Sequence, residues 1–229
     1  MGKHTEIELK ARVRGWRDCR RRLTELAGGG VPLFKDDAYW FPAAPPAAPG
    51  LRVRRDRHTG ADGQTAEHTL VTGKTKKRRD GIEINEEREC EVSDGAVFEE
   101  LLERLGLEKR ISKRKTGWVW RYGGISAELV RVSGSAGFNG TGGPETPDSA
   151  GTTKDLGWFL ELEILAGPDG LDKSDGSPDK GADCVGETPA AAGRRLLDLL
   201  AKAGVGEAEI ESRYYSELLT GVTRRDGVV

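Results

Sequence analysis

In one segment after another, charged and apolar side chains alternate with a period of two. HTEIELKARV puts Glu6, Glu8 and Lys10 on one parity and Ile7 and Leu9 on the other. Successive side chains of a β-strand point to opposite faces, so each such segment has one charged and one apolar face. LRVR contributes Arg52 and Arg54, and LVTGKTKK contributes Thr72, Lys74 and Lys76. EINEERECEV sets Glu83, Asn85, Glu87, Glu89 and Glu91 against Ile84 and Cys90. ISKRK supplies Lys113 and Lys115, and FLELEIL sets Glu161 and Glu163 against Leu160, Leu162 and Ile164. An open sheet would turn these charges to water. A closed barrel would turn them inward, at a cost on the order of several kcal/mol apiece unless they are paired, hydrated or matched by a ligand. Basic walls hold a polyphosphate and clustered carboxylates hold the hard divalent cation that bridges it, so the mixture of signs favours the barrel.

The 229 residues suffice for one large domain or two small ones, and a net charge of −2 argues against a protein that simply coats nucleic acid. Cys19, Cys90 and Cys184 are scattered and odd in number, which suits neither a disulfide framework nor a zinc site and suggests a reducing compartment. No apolar run reaches the roughly 18 residues of a membrane span and no signal-peptide core is present. A cytoplasmic protein with no membrane partner is expected. Alternation predicts strands over 4–13, 51–55, 68–77, 82–92, 110–122, 124–133 and 157–165. Helical patterns cover 16–27, 95–105, 189–203 and a last stretch near 207–219. The proline-rich 42–50 reads as a turn. The reading is a single α+β domain over 1–220, a closed antiparallel β-barrel with a charged lumen and helices packed outside. Polar, glycine-rich loop insertions occupy 134–154 and 167–188, and 221–229 forms a C-terminal tail.

Other patterns are weaker. The GKT of LVTGKTKK would need a glycine where His68 stands to make a phosphate-binding loop, and its surroundings read as strand. KTKKRR lacks interleaved aromatics and precedes an acidic segment, so a nucleic-acid partner is not expected. His4, His58 and His68 have no serine or cysteine at catalytic spacing. Trp118 and Trp120 share a parity suited to covering a barrel.

In order along the chain, these motifs resemble the CYTH family, the triphosphate tunnel metalloenzymes. The resemblance rests on the Glu6-x-Glu8-x-Lys10 strand, DDAYW (36–40), LRVR (51–54), VTGKTK (71–76), ISKRK (111–115), LGWFLELE (156–163) and the ending SRYYSELL (212–219). It implies Glu6, Glu8, Glu161 and Glu163 as ligands of Mg²⁺ or Mn²⁺. It implies Lys10, Arg52, Arg54, Lys74, Lys76, Lys113 and Lys115 as triphosphate contacts, with Lys10, Lys74 and Lys113 catalytic. Glu87, Glu89 and Glu91 lie where relatives carry charged residues, and Glu128 stands where many have aspartate. Lys115 stands where arginine is common, exchanging a two-pronged donor for a point charge. The substrates implied are ATP, tripolyphosphate or thiamine triphosphate. The sequence looks closest to bacterial class IV adenylyl cyclases, which would make the products cyclic AMP and pyrophosphate. A triphosphatase, and a non-catalytic module binding polyphosphate or nucleic acid, stand as alternatives, and a homodimer is left open.

Overall fold

The computed structural model describes residues 3–43, 50–59, 65–79, 82–137, 153–166 and 188–221. Eight strands run through them: β1 (Lys3–Arg12), β2 (Val31–Pro42), β3 (Leu51–Thr59), β4 (Thr65–Arg79), β5 (Ile82–Val92), β6 (Leu107–Tyr122), β7 (Ile125–Ala136) and β8 (Lys154–Ala166). Paired antiparallel in the order β1-β5-β4-β3-β2-β6-β7-β8, with β8 returning to β1, they close a barrel. Among the described residues four helices accompany it: α1 (Trp16–Ala27), α2 (Gly95–Arg104), α3 (Pro189–Lys202) and α4 (Tyr215–Thr220). The fold is therefore the α+β barrel that the alternation predicts.

The outer face is apolar. Ile7 and Leu9 of β1, Leu129 of β7 and Leu160, Leu162 and Ile164 of β8 meet Leu23 of α1 and Leu196, Leu199 and Leu200 of α3 in one buried cluster. Burying a side chain of this size is worth about 1.5–3 kcal/mol, so this face supplies the main driving force for closure. A second outer cluster joins Leu102 of α2 to Trp40, Val53 and Val71. Asp94 starts α2 by accepting from the amides of Ala96 and Val97, both at 3.0 Å. Gly106, with φ of 80°, turns the chain out of it.

Two expectations need correction. Val31–Pro42 is a strand, which periodicity did not predict. Its sequence, VPLFKDDAYWFP, mixes apolar and charged residues on both parities and carries a proline near each end. Pairing with β6 from Val31↔Val119 to Pro42↔Leu107 and with β3 on the other side decides its conformation. The final helix is shorter than 207–219: Glu207–Glu209 is a single 3-10 turn and α4 begins at Tyr215. Within 134–154, β7 continues to Ala136 and β8 starts at Lys154, while 138–152, 167–187 and 222–229 lie outside the described residues.

Candidate active site

The charged parities face the lumen. Opposite neighbours in the ladders set an acidic sector across β5, β1, β8 and β7: Glu83 pairs with Glu8, Glu8 with Glu163, and Glu161 with Glu128. Glu6 lies opposite Asn85. The basic sector spans β3, β2 and β6. Arg54 sits opposite Asp37, Asp37 opposite Lys113, and Lys35 opposite Lys115. Glu6, Lys10, Arg54, Glu87, Lys113, Lys115, Glu128 and Glu161 are all buried.

Lys74 joins the two sectors. Its Nζ lies 3.0 Å from Glu6, 3.5 Å from Glu8 and 2.6 Å from Glu87. Burial opposes its charge, yet these three carboxylates raise its pKa. Burial likewise works against ionised Glu87, but Lys74 and Arg52 hold it at about 2. Burial raises Glu6 against the pull of Lys74. At Glu163 the pull of Lys35 is outweighed: burial, then the charges of Glu6, Glu128 and Glu8, push its carboxyl up to about 8. Against burial, Lys115 lowers Glu161, and Lys35 and Lys115 lower Glu128. Lys115 is ion-paired with Glu161, and Lys35 Nζ donates to Glu128 at 2.5 Å.

On the basic side Asp37 is the hub. It accepts from Arg54 Nε at 2.7 Å and Nη2 at 3.1 Å, and Lys113 Nζ stands 3.0 Å away. Burial opposes its charge, but Arg54 and Lys113 keep its carboxyl well below the usual range. Arg52 Nη2 donates to Thr72 at 3.0 Å and to Glu87 at 3.3 Å. Lys113 also donates to the Tyr39 hydroxyl at 3.0 Å.

Of the buried polar atoms in this lumen, Arg52 Nε, a donor, and Asn85 Oδ1, an acceptor, meet no hydrogen-bond partner among the described residues. The orphan donor lies on the basic side and suits an anion. The orphan acceptor belongs to a residue whose Nδ2 donates to Glu8 at 3.4 Å, and a carboxamide oxygen beside carboxylates suits a hard cation. The donor set therefore fits a divalent ion, although no three carboxyl groups among the described residues already converge as a metal cluster. Like charges repel, and Lys74 stands among these carboxylates instead.

Of the residues predicted from sequence, Glu6, Glu8, Glu161, Glu163, Lys10, Arg52, Arg54, Lys74, Lys113, Lys115, Glu87 and Glu128 line one lumen. Glu89 lies nearer the rim and approaches Arg52 at 3.7 Å. Glu91 does not join the cluster; it is exposed and pairs with His68. The side chain of Lys76 lies outside the described residues. Sequence reasoning assigned no role to Lys35, Asp37, Tyr39, Glu83, Asn85 or Tyr215. Asp37, Tyr39 and Tyr215 fall inside the quoted DDAYW and SRYYSELL motifs, which was the available signal.

No model of a known protein family matches the sequence, and neither does any curated protein. Solved structures do match. A Pyrococcus horikoshii protein aligns over 94% of this chain and 98% of its own, with a TM-score of 0.62 and 22% identity. A Vibrio parahaemolyticus protein assigned as an adenylate cyclase aligns over 94% and 97%, with a TM-score of 0.55 and 16% identity. A candidate adenylyl cyclase from Hippeastrum, described as having a dominant triphosphatase activity, aligns over 96% and 97%, with a TM-score of 0.52 and 15% identity. At these identities the likeness concerns the fold, and the fold is the closed tunnel barrel that a CYTH protein is expected to have.

Proposed function

We propose that this chain is a metal-dependent enzyme acting on a triphosphate bound in the lumen. The observation that carries the reading is the convergence of Arg52, Arg54, Lys74, Lys113 and Lys115 from three strands onto one buried space, opposite an acidic sector. Keeping so many charges buried is costly even with Asp37, Glu87 and Glu161 paired to them, and groups maintained against such a cost are where a ligand site is expected.

Arg52, Arg54, Lys113 and Lys115 would hold and neutralise the phosphates, with Lys10 and Lys74 at the border of the acidic sector. Asp37 fixes Arg54 and Lys113 before any substrate arrives, so the reacting geometry needs little reorganisation. Glu6, Glu8, Glu161 and Glu163, with Asn85 beside them, would hold Mg²⁺ or Mn²⁺. The ion would supply Lewis-acid polarisation of a phosphoryl oxygen. Burial of the lumen lowers the local dielectric and strengthens each of these charge interactions.

The leading reaction is attack of the ribose 3′-oxygen on the α-phosphorus of ATP, giving cyclic AMP and pyrophosphate, as the motif pattern suggests. The second is hydrolysis of a triphosphate, favoured by the triphosphatase activity described for the Hippeastrum neighbour. Incubating the purified chain with Mg²⁺ or Mn²⁺ and either ATP or tripolyphosphate, then separating the products, tests both. Cyclic AMP supports the first, orthophosphate from tripolyphosphate supports the second, and no turnover of either contradicts the proposal. Excess EDTA should abolish the activity; turnover that persists in it would remove the metal from the account.

A further inference from the structure

Lys35 carries a positive charge from β2 into the acidic sector. Its Nζ donates to Glu128 Oε1 at 2.5 Å, and with side chains only 12% and 11% exposed the pair is largely shut off from water. The strands alone do not favour this arrangement. In the ladder with β6, Lys35 lies directly opposite Lys115, and like charges so placed repel. Glu128 relieves the repulsion because both ammoniums approach it, its Oε2 lying 3.7 Å from Lys115 Nζ. Lys115 is in turn ion-paired with Glu161. On this side of the sector, two ammoniums meet two carboxylates.

On β1 and β5 the balance is different. The single ammonium of Lys74 is shared among Glu6, Glu8 and Glu87, at 3.0, 3.5 and 2.6 Å. Asn85 is fully buried beside them, and its Oδ1 meets no hydrogen-bond partner among the described residues. A hard cation finds an unused oxygen here. At Glu128 the positive charge is already supplied by the chain.

We propose that Lys35 is a resident cation in the place of a second metal ion. It neutralises Glu128, keeps that carboxylate out of the ligand set, and limits the lumen to one divalent ion on the side of Glu6, Glu8 and Asn85. This rests on reading the lumen as a metal site. Sites that act on phosphates with two metals hold them about 4 Å apart. A lysine ammonium is a compact point charge with three donors, so it can fill one of two such neighbouring positions. Being tethered, it supplies its charge at any metal concentration.

The test is a titration of the whole chain with Mn²⁺ in the absence of substrate, counting bound ions from the electron paramagnetic resonance of the free ion. The wild type should saturate at one Mn²⁺ per chain. Lys35→Met keeps the length of the side chain and removes its charge. It should saturate at two, with spin coupling between ions about 4 Å apart. Lys35→Arg keeps the charge and should stay at one. Glu128→Gln should also stay at one, with unchanged affinity. Two ions in the wild type or in Lys35→Arg would overturn the proposal, as would one ion in a folded Lys35→Met. Glu128→Gln decides even where Lys35→Met does not fold, because weakened Mn²⁺ binding there would make Glu128 a ligand and overturn the proposal. Absence of Mn²⁺ binding to the wild type would overturn the metal reading of the lumen as well, which saturation at two ions would not.

Discussion

On β1, both faces are buried, and by different means. Ile7 and Leu9 are 2% and 1% exposed against helices, while Glu6 and Lys10 are 8% and 5% exposed in the lumen. The outer face gains stability from hydrocarbon leaving water and needs no particular partner geometry. The inner face loses hydration and recovers it only through partners such as Lys74 with Glu87 and Arg54 with Asp37. The same eight strands thus carry a wall that holds the barrel closed and a wall whose charges are costly to keep. Groups maintained against such a cost are where function is expected. Substitutions on the two walls should accordingly separate stability from activity.

The largest separation is expected at Lys113. Lys113→Ala should lower turnover about 10³-fold, the scale of losing one preorganised charge contact. Melting should change little, because Arg54 still pairs Asp37. A collapse in melting temperature would make Lys113 a structural cation. The opposite pattern is expected at Leu162, fully buried on the outer wall. Leu162→Ala should cost about 3 kcal/mol in denaturant unfolding, through lost burial and the cavity left behind. Tripolyphosphate affinity should not change, and a parallel loss of affinity would show that the walls are not separable.

Glu163 sharpens the comparison through pH. Its folded-state carboxyl, at about 8, holds its proton more tightly than the ordinary value of 4.5. Its contribution to stability is therefore fully present below about 4.5 and lost as pH rises toward 8. Glu163→Gln removes that titration, so its melting temperature should gain on the wild type progressively between pH 5 and 8. A variant that loses ground over that range would show that ionised Glu163 is a stabilising partner. Glu87, at about 2, acts in the opposite sense, its contribution fading as pH falls from about 4.5 toward 2. The smallest effect belongs to the outer shell. Asp94→Ala removes the cap of α2 and should cost about 1 kcal/mol without altering turnover.

The barrel was legible in sequence wherever one parity was charged and the other apolar, as in β1, β5 and β8. It was illegible in β2, where Lys35, Asp37 and Tyr39 face the lumen but Asp36 on the opposite parity is also charged and pairs with Arg114 outside. Alternation assigned Glu161 and Glu163 to one face equally well. It could not say that Glu161 would be paired with Lys115 while Glu163 would be left among carboxylates, because that depends on which strands become neighbours. Tyr215 was hidden for a related reason: its place beside Lys10, Lys113 and Lys115 comes from the segment crossing back onto β1 about 200 positions away in sequence, with Glu211 meeting Lys10.

The central claim is that cations from separate strands act on one anion. Thermal melting with increasing tripolyphosphate at fixed ionic strength tests it most directly, because a ligand that binds only the native state must raise the melting temperature. Arg54→Ala and Lys113→Ala should each sharply reduce that rise. Arg21→Ala, on the exposed face of α1 where Arg21 pairs with Glu25, should leave it intact. The same rise in all three variants would mean diffuse attraction to a charged surface, and would contradict a single anion site in the lumen.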